Sequence, residues 1–505
     1  MLLISIAVCA LFLSVQTQNY QYPNSFFLNE QIHFDENRSQ YYQNNAQQQP
    51  LPVPLNRNGA SYEVEKSNEV AATTTYGIEQ QKISGPISKG QTAQTASVQI
   101  PQRANGQFSQ SHGGQVAQAA LGQPFAPNPV GFNNILYSIT NFGLKMLKDI
   151  TQAGNVVISP YSITAALALL QQGSAGATQD QITAALQSSP IDSVASFSEI
   201  NTDFEKRSSR NILKTACNVF VANGFSLNPR FKMIAKQSFY SDITPISFSR
   251  PEPAASQINS WIASRTNDKI AKIVTPESLD TTTQVVLVNA VYFKGLWEIP
   301  FRVESTKPRE FHLSNRATKK VPFMSTRRYM KTGEDPATNA KIALLPFERS
   351  QYTLMLILPS ELLGISKTLE LMTDARLLSY HSFTPLEAEL HIPKFTVKCD
   401  TDLVQVLRKM GITNMFGPTA DLSGLGSYQA SFQTSPQISS AVHSAVLSID
   451  EQGGSAAAVT TFAAVALSND EPSVVFRADR PFIAVLWDEK TSLPLFMAKI
   501  EDPSQ

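Results

Sequence analysis

The chain has 505 residues, with 41 Lys and Arg against 41 Asp and Glu, and a formal net charge of zero. That balance argues against non-specific nucleic-acid binding, which needs a basic surface. The length allows one large domain or several smaller ones. The chain opens with MLLISIAVCALFLSVQTQ, an apolar run too short to span a bilayer and long enough for the core of a secretory signal. Its n-region lacks Lys and Arg, yet a signal over residues 1–17, cut near Thr17–Gln18, is favoured over a membrane anchor. No later stretch is apolar for long enough to span a membrane, so the mature chain is expected to be secreted, with no membrane partner. Residues 18–130 are rich in Gln, Asn, Ser, Pro and Tyr, as in QYYQNNAQQQPLPVP, with weak apolar periodicity. Such a segment cannot bury enough surface to offset its ordering entropy, so a disordered extension is expected. The sequon Asn37-Arg38-Ser39 lies in it and makes Asn37 the glycosylation candidate. A binding or crosslinking arm using the Gln and Tyr residues is the alternative, with no motif behind it.

Folded character begins near Val130. Ile135, Leu136, Ile139, Phe142, Leu144, Met146 and Leu147 recur at helical spacing. After Gly154-Asn155 comes the short apolar run VVISP, and Ser159-Pro160 then opens an Ala/Leu-rich buried helix. GATQDQITAAL reads as a helix with Thr178 as its N-cap. Strand-like runs follow: ILKTACNVFVA, VVLVNAVYFKG, KIALLPFE, YTLMLILPS, EAELHIPKFTV, AVHSAVLSID and PFIAVLWDEKTSLPLFMAKIED. DTDLVQVLRKMG reads as a helix ending at Gly411. Helices early and long strands late predict an α+β domain over residues 131–505, with large antiparallel or mixed sheets.

Chemistry motifs are absent. There is no HExxH, no paired Cys-x-x-Cys and no EF-hand loop, so no metal site is expected. No phosphate-cradling glycine loop appears, and no cofactor is expected. Nothing points to a Ser-His-Asp hydrolase. His443 lies in the alternating run SSAVHSAVLSID and is read as a satisfied core histidine rather than a catalytic base. Cys217 and Cys399 allow at most one intrachain disulfide and read as two buried thiols. The basic clusters at Lys206, Arg207, Arg210 and Lys214, at Lys319 and Lys320, and at Arg327, Arg328 and Lys331 read as solvated faces. A weak glycosaminoglycan or protease contact is the sharper alternative.

Between Gln452 and Asn469 the chain carries no charge. The stretches NVVISPYSITAALALLQQGSAGATQDQI, LVNAVYFKGLWEIPF, LHIPKFTV, LRKMGITNMFGPTADLSG, AVHSAVLSIDEQGGSAAA, FRADRPF and PLFMAKIEDP resemble the serpin family, in serpin order and at serpin spacing. The resemblance implies three β-sheets with about eight or nine helices and an exposed reactive loop, here about 451–476. It implies an inhibitor, not an enzyme. A serine protease cuts the loop, and the loop inserts as a new strand that drags the protease along and traps it.

An inserted strand sends alternate side chains to opposite faces. With Gly454 inward, so are Ala456, Ala458, Thr460, Phe462, Ala464 and Ala466; all but Phe462 are small and none is charged. The hinge is Glu451, Gly453, Gly454, Ser455, Ala456, Ala457 and Ala458. Gly454 stands where inhibitory relatives usually carry Thr, Ser or Val, which adds loop entropy. Counting from Glu451 as family members do places the reactive bond at Leu467–Ser468, with a shift of a residue or more allowed by the longer distal part. No Lys or Arg lies between Glu451 and Arg477, so the expected partner is a serine protease with a hydrophobic or small specificity pocket. The resemblance also assigns Ser159, Ser162, Asn289 and His443 to a shutter over which the sheet parts, and Trp297 to the breach where the loop enters. A monomer is expected. The alternatives are a non-inhibitory serpin used as carrier, store or chaperone, and a cross-class inhibitor of cysteine proteases.

Overall fold

The computed structural model describes residues 129–150, 154–207, 211–349, 351–428, 436–454 and 474–505. All lie in the second of two units into which the chain divides, Gly122–Gln505. The signal, nearly all of the extension, Asn37, Ser455, Ala456, Ala457, Ala458, Leu467 and Ser468 fall outside the described residues.

Helix α1 (Pro129–Asp149) buries the apolar stripe read from its sequence. Strand β1 (Val156–Ile158) leads into α2 (Pro160–Gly173). Ser159 caps α2 by accepting from the Ser162 backbone N–H at 3.3 Å, with Pro160 at the first helical position. Helix α2 is buried on nearly every side, as its all-round apolar sequence requires. In α3 (Gly176–Leu186) the expectation for Thr178 is corrected. Ala175 is the N-cap, and Thr178 sits inside the first turn, its hydroxyl accepting from the Asp421 backbone N–H at 3.0 Å. The Ser-Pro and Asn-Pro device recurs at α4 (Pro190–Lys206), capped by Ser189, and, past β2 (Ile212–Ala222) and β3 (Phe225–Leu227), at α5 (Pro229–Ser238), capped by Asn228. Strand β4 (Asp242–Ile246) and helix α6 (Pro251–Arg265) precede β5 (Val285–Lys294).

Strand β6 (Lys307–His312) is followed by β7 (Thr318–Asp335), an 18-residue strand that the charged sequence conceals. It pairs in turn with β6, with β8 (Ala340–Pro346) and with β10 (Pro385–Pro393). Between β8 and β10 lie β9 (Tyr352–Pro359) and the short helices α7 (Ile365–Leu371) and α8 (Asp374–Tyr380). The run EAELHIPKFTV is not one strand. It breaks at Lys394, and β10 and β11 (Phe395–Asp402) enter different sheets. Helix α9 (Leu403–Lys409), β12 (Gly426–Tyr428), β13 (Ile438–Ile449), β14 (Val474–Arg477), β15 (Phe482–Asp488) and β16 (Leu493–Ile500) complete the described chain. Residues 474–476, expected within the reactive loop, lie in β14 and pair with β10.

The architecture is α+β, with nine helices and three sheets among the described residues. One sheet has nine strands; a two-stranded sheet pairs β12 with β3. The five-stranded sheet runs β11-β13-β5-β2-β4. Its centre pairs β13 with β5 in parallel, and both lie over the N-terminus of α2. Cys217 on β2 and Cys399 on β11 stand three strands apart, about 14 Å. A disulfide needs Cα atoms within roughly 7 Å, so both thiols are free.

Candidate functional site

Strand β5 is an almost continuous apolar run, as a strand buried on both faces must be. Apart from Lys294 at its partly exposed end, its one strongly polar side chain is Asn289, with no exposed surface. Such a residue needs partners on every side. His443 lies directly opposite it on β13. His443 Nδ1 is 2.7 Å from Asn289 Oδ1, and the Ser162 hydroxyl donates to the same oxygen at 2.7 Å. Asn289 Nδ2 donates to the Ser162 carbonyl at 3.1 Å. The Ser159 backbone N–H donates to His443 Nε2 at 3.1 Å. Because Nε2 accepts, the proton of the neutral ring sits on Nδ1 and is given to Asn289. The four residues named from the sequence thus form one buried network. It joins β5, β13 and the first turn of α2, and β5 cannot part from β13 without breaking it.

Burial pushes the His443 pKa down to about 3 from an ordinary 6.5. Between these values the native state binds fewer protons than the unfolded chain, so its stability rises with pH across that window. A His443→Gln variant keeps a donor and an acceptor but does not titrate. Its stability is expected to lose up to about 1.4 kcal/mol per pH unit of the wild-type slope between pH 4 and 6. Urea unfolding of both proteins at pH 4.5, 5.5 and 7 checks this; equal slopes would refute it.

A second cluster lies at the end of the sheet where β5 and β13 both finish. Past Ile449 the chain turns at Asp450, whose carboxylate accepts from the Gln452 and Gly453 N–H groups at 2.9 and 3.0 Å. Trp297 is buried and stacks on Phe347 at 4.4 Å. Its Nε1 donates to the Asp450 carbonyl at 2.9 Å and its backbone N–H to the Gln452 carbonyl at 2.8 Å. Phe301 N–H donates to the Glu451 carbonyl at 2.8 Å. Burial alone would raise the Glu451 pKa, but the Lys394 ammonium at 2.8 Å and the Thr306 hydroxyl at 3.0 Å hold it below the usual range.

The geometry requires glycine at position 453. Its φ is +119°, and a Cβ would lie 2.7 Å from the Gly295 carbonyl and 2.8 Å from the Trp297 nitrogen. A Cβ on Gly454 would meet the Ser448 carbonyl at 3.3 Å, a tight contact relieved by a small shift.

Lys394 and Thr306 were missed in the sequence. The signal for Lys394 was available: it is the one charge between the apolar runs LHIP and FTV. The basic clusters match the expectation in part: Lys206, Lys214, Lys320 and Lys331 are exposed, Arg210 lies outside the described residues, and the others differ. Arg207 pairs with Asp203 and with the fully buried Asp488, Arg328 is buried and donates to the Ile299 carbonyl, and Lys319 and Arg327 pair with Asp502 and Glu387. Among the described residues, no group of three His, Cys, Asp or Glu is arranged to hold a metal ion.

A protein-family model described as Serpin (serine protease inhibitor) matches residues 137–503. The chain belongs to the serpin family. This serpin is 32% identical over 362 residues to antichymotrypsin-2 of Bombyx mori, covering 70% of this chain and 94% of that one. It is 30% identical to the leukocyte elastase inhibitor of Bos taurus, covering 72% and 98%. Among solved structures, serpin-12 of Manduca sexta is 47% identical with a TM-score of 0.67, covering 73% of this serpin and 99% of that chain.

Proposed function

We propose that this serpin inhibits serine proteases with a hydrophobic or small specificity pocket, by trapping them when its cut loop inserts between β5 and β13. The observation that carries the reading is the parallel pairing of those two strands, with the chain leaving β13 at the end where both finish. A segment that turned back there would run antiparallel to both neighbours and could form a ladder on each side. The shutter role of Ser159, Ser162, Asn289 and His443 is to hold that gap shut, and Trp297 with Glu451 holds its mouth. The uncharged, proline-free composition from Gln452 to Asn469 suits burial in a sheet. The names of the relatives above, an antichymotrypsin and an elastase inhibitor, agree with Leu467–Ser468 as the reactive bond. We further read residues 1–17 as a secretion signal and residues 18–130 as an extension carrying a glycan at Asn37. Glycosaminoglycan contact stays secondary, because Arg207, Lys319 and Arg327 already have acidic partners.

Incubation with a chymotrypsin-like protease is expected to yield an SDS-stable complex cut at or next to Leu467. A Leu467→Arg variant is expected to move the complex to a trypsin-like protease, with at least about a hundredfold change in relative rate, since a cation then reaches an acidic pocket. Clean cleavage without a complex would favour the non-inhibitory alternative. A complex without redirection would place the bond elsewhere.

A further inference from the structure

Strand β14 is the part of the fold that the chain enters directly after residues 455–473. It has four residues, lies at the edge of the nine-stranded sheet and pairs with β10 alone. A short parallel strand with one neighbour is among the cheapest pieces of a sheet to detach. Phe476, fully buried, is its main apolar anchor.

His391 lies on β10, opposite Arg477 of β14 on one side and Ser325 of β7 on the other. It is 2% exposed. Its Nδ1 is 2.8 Å from the Ser325 hydroxyl and its Nε2 is 3.0 Å from Glu389 Oε1. With Nε2 donating to Glu389, Nδ1 accepts from Ser325, so the neutral ring satisfies both nitrogens. The His391 carbonyl accepts from the Ala478 N–H at 2.9 Å, just beyond β14. The charges facing the ring are Arg309 from β6, Arg477 from β14 and Glu389 from its own strand. On the same sheet Arg327 of β7 is engaged by Glu387.

We propose that His391 fastens β14, and with it the far end of the reactive segment, while its ring is neutral, and releases the strand when the ring takes up a proton. Protonation adds a cation that the charges of Arg309 and Arg477 disfavour and that, among the described residues, the Glu389 carboxylate favours. The strain is relieved most cheaply by moving Arg477, and β14 with it, off the edge. Burial first, then Arg309 and Arg477, hold the ring below its usual range, with Glu389 opposing. The docked strand therefore binds fewer protons than the released one, and docking weakens as pH falls below the ordinary histidine value of about 6.5. The consequence for inhibition rests on the trapping reading; the release of the strand does not.

The test is hydrogen exchange on the full, uncut chain with no protease present, at pH 7.5 and pH 5.5, corrected for intrinsic exchange. One pH unit below 6.5, protection at Val475–Arg477 is expected to fall by up to about tenfold. His391→Gln is expected to remove that fall, and Arg477→Gln, at an exposed position, to shrink it. Equal protection at both pH values, the same fall in His391→Gln, or an undiminished fall in Arg477→Gln would each overturn the proposal. A chain that formed no protease complex yet showed this pattern would lose the trapping reading and keep this one.

Discussion

An Ala456→Arg variant is expected to be cut by a chymotrypsin-like protease and to let it go, with the SDS-stable complex lost and only the cleaved chain left on the gel. Ala456 is two residues past Gly454, on the face that would turn inward once the segment lay between β5 and β13. The space there is bounded by β5, apolar and buried along nearly its whole length, and by β13, which adds neutral Ser and His side chains but no carboxylate. A guanidinium placed there would be an unpaired buried charge, which costs several kcal/mol even after relaxation. Trapping is a race between insertion and deacylation. Each ~1.4 kcal/mol added to the insertion barrier slows it tenfold, so a penalty of this size hands the race to the protease. The cut itself should be unaffected, because position 456 is far along the chain from Leu467. Undiminished complex formation by the variant would mean that the segment does not insert with this face inward.

Cutting the wild-type chain once near Leu467 is expected to raise its melting temperature by about 10 °C or more. The direct ladder between β5 and β13 would be replaced by two, one on each side of the new strand. A net backbone hydrogen bond contributes about 1 kcal/mol, and the added ladder together with burial of the segment's small side chains works against the cost of ordering it. For a domain of this size one kcal/mol moves the midpoint by about 1–2 °C. The His443–Asn289 contact would be broken in the process, and its loss subtracts only a small part of what the added ladder contributes. Scanning calorimetry of intact and cleaved protein decides the matter. Identical midpoints would remove the energetic drive for trapping, whatever the gel showed.

Much of this was legible in short stretches. The strand Ile212–Ala222 coincides with ILKTACNVFVA, and Ser159-Pro160 caps and starts α2 as its residue types predict. Asn289 was named through the family resemblance, and its place as a polar residue in an apolar strand accounts for its need for partners. Other features were hidden. Thr178 looked like a cap because Thr favours that place, but the helix starts earlier and the hydroxyl serves Asp421 from another segment. Arg207 looked solvated beside its neighbours in sequence, yet its acid partner Asp488 lies 281 residues away. Strand β7 reads as charged surface because it crosses from one pairing to another with one face exposed.

The resemblance of seven stretches carried the family, and the residues alone determined the order of most strands and of four helices and the small uncharged face of the segment after Glu451. Those follow from periodicities of two and 3.6 residues and from local backbone preferences, which act over a few positions. Only the tertiary structure decided that β5 and β13 lie side by side in parallel, that His443 meets Asn289 over α2, and that Lys394 reaches Glu451. Those contacts join segments 154 and 57 residues apart. They arise because β5 must bury both faces while every buried strand satisfies its backbone, a condition that the whole fold meets and no local stretch encodes.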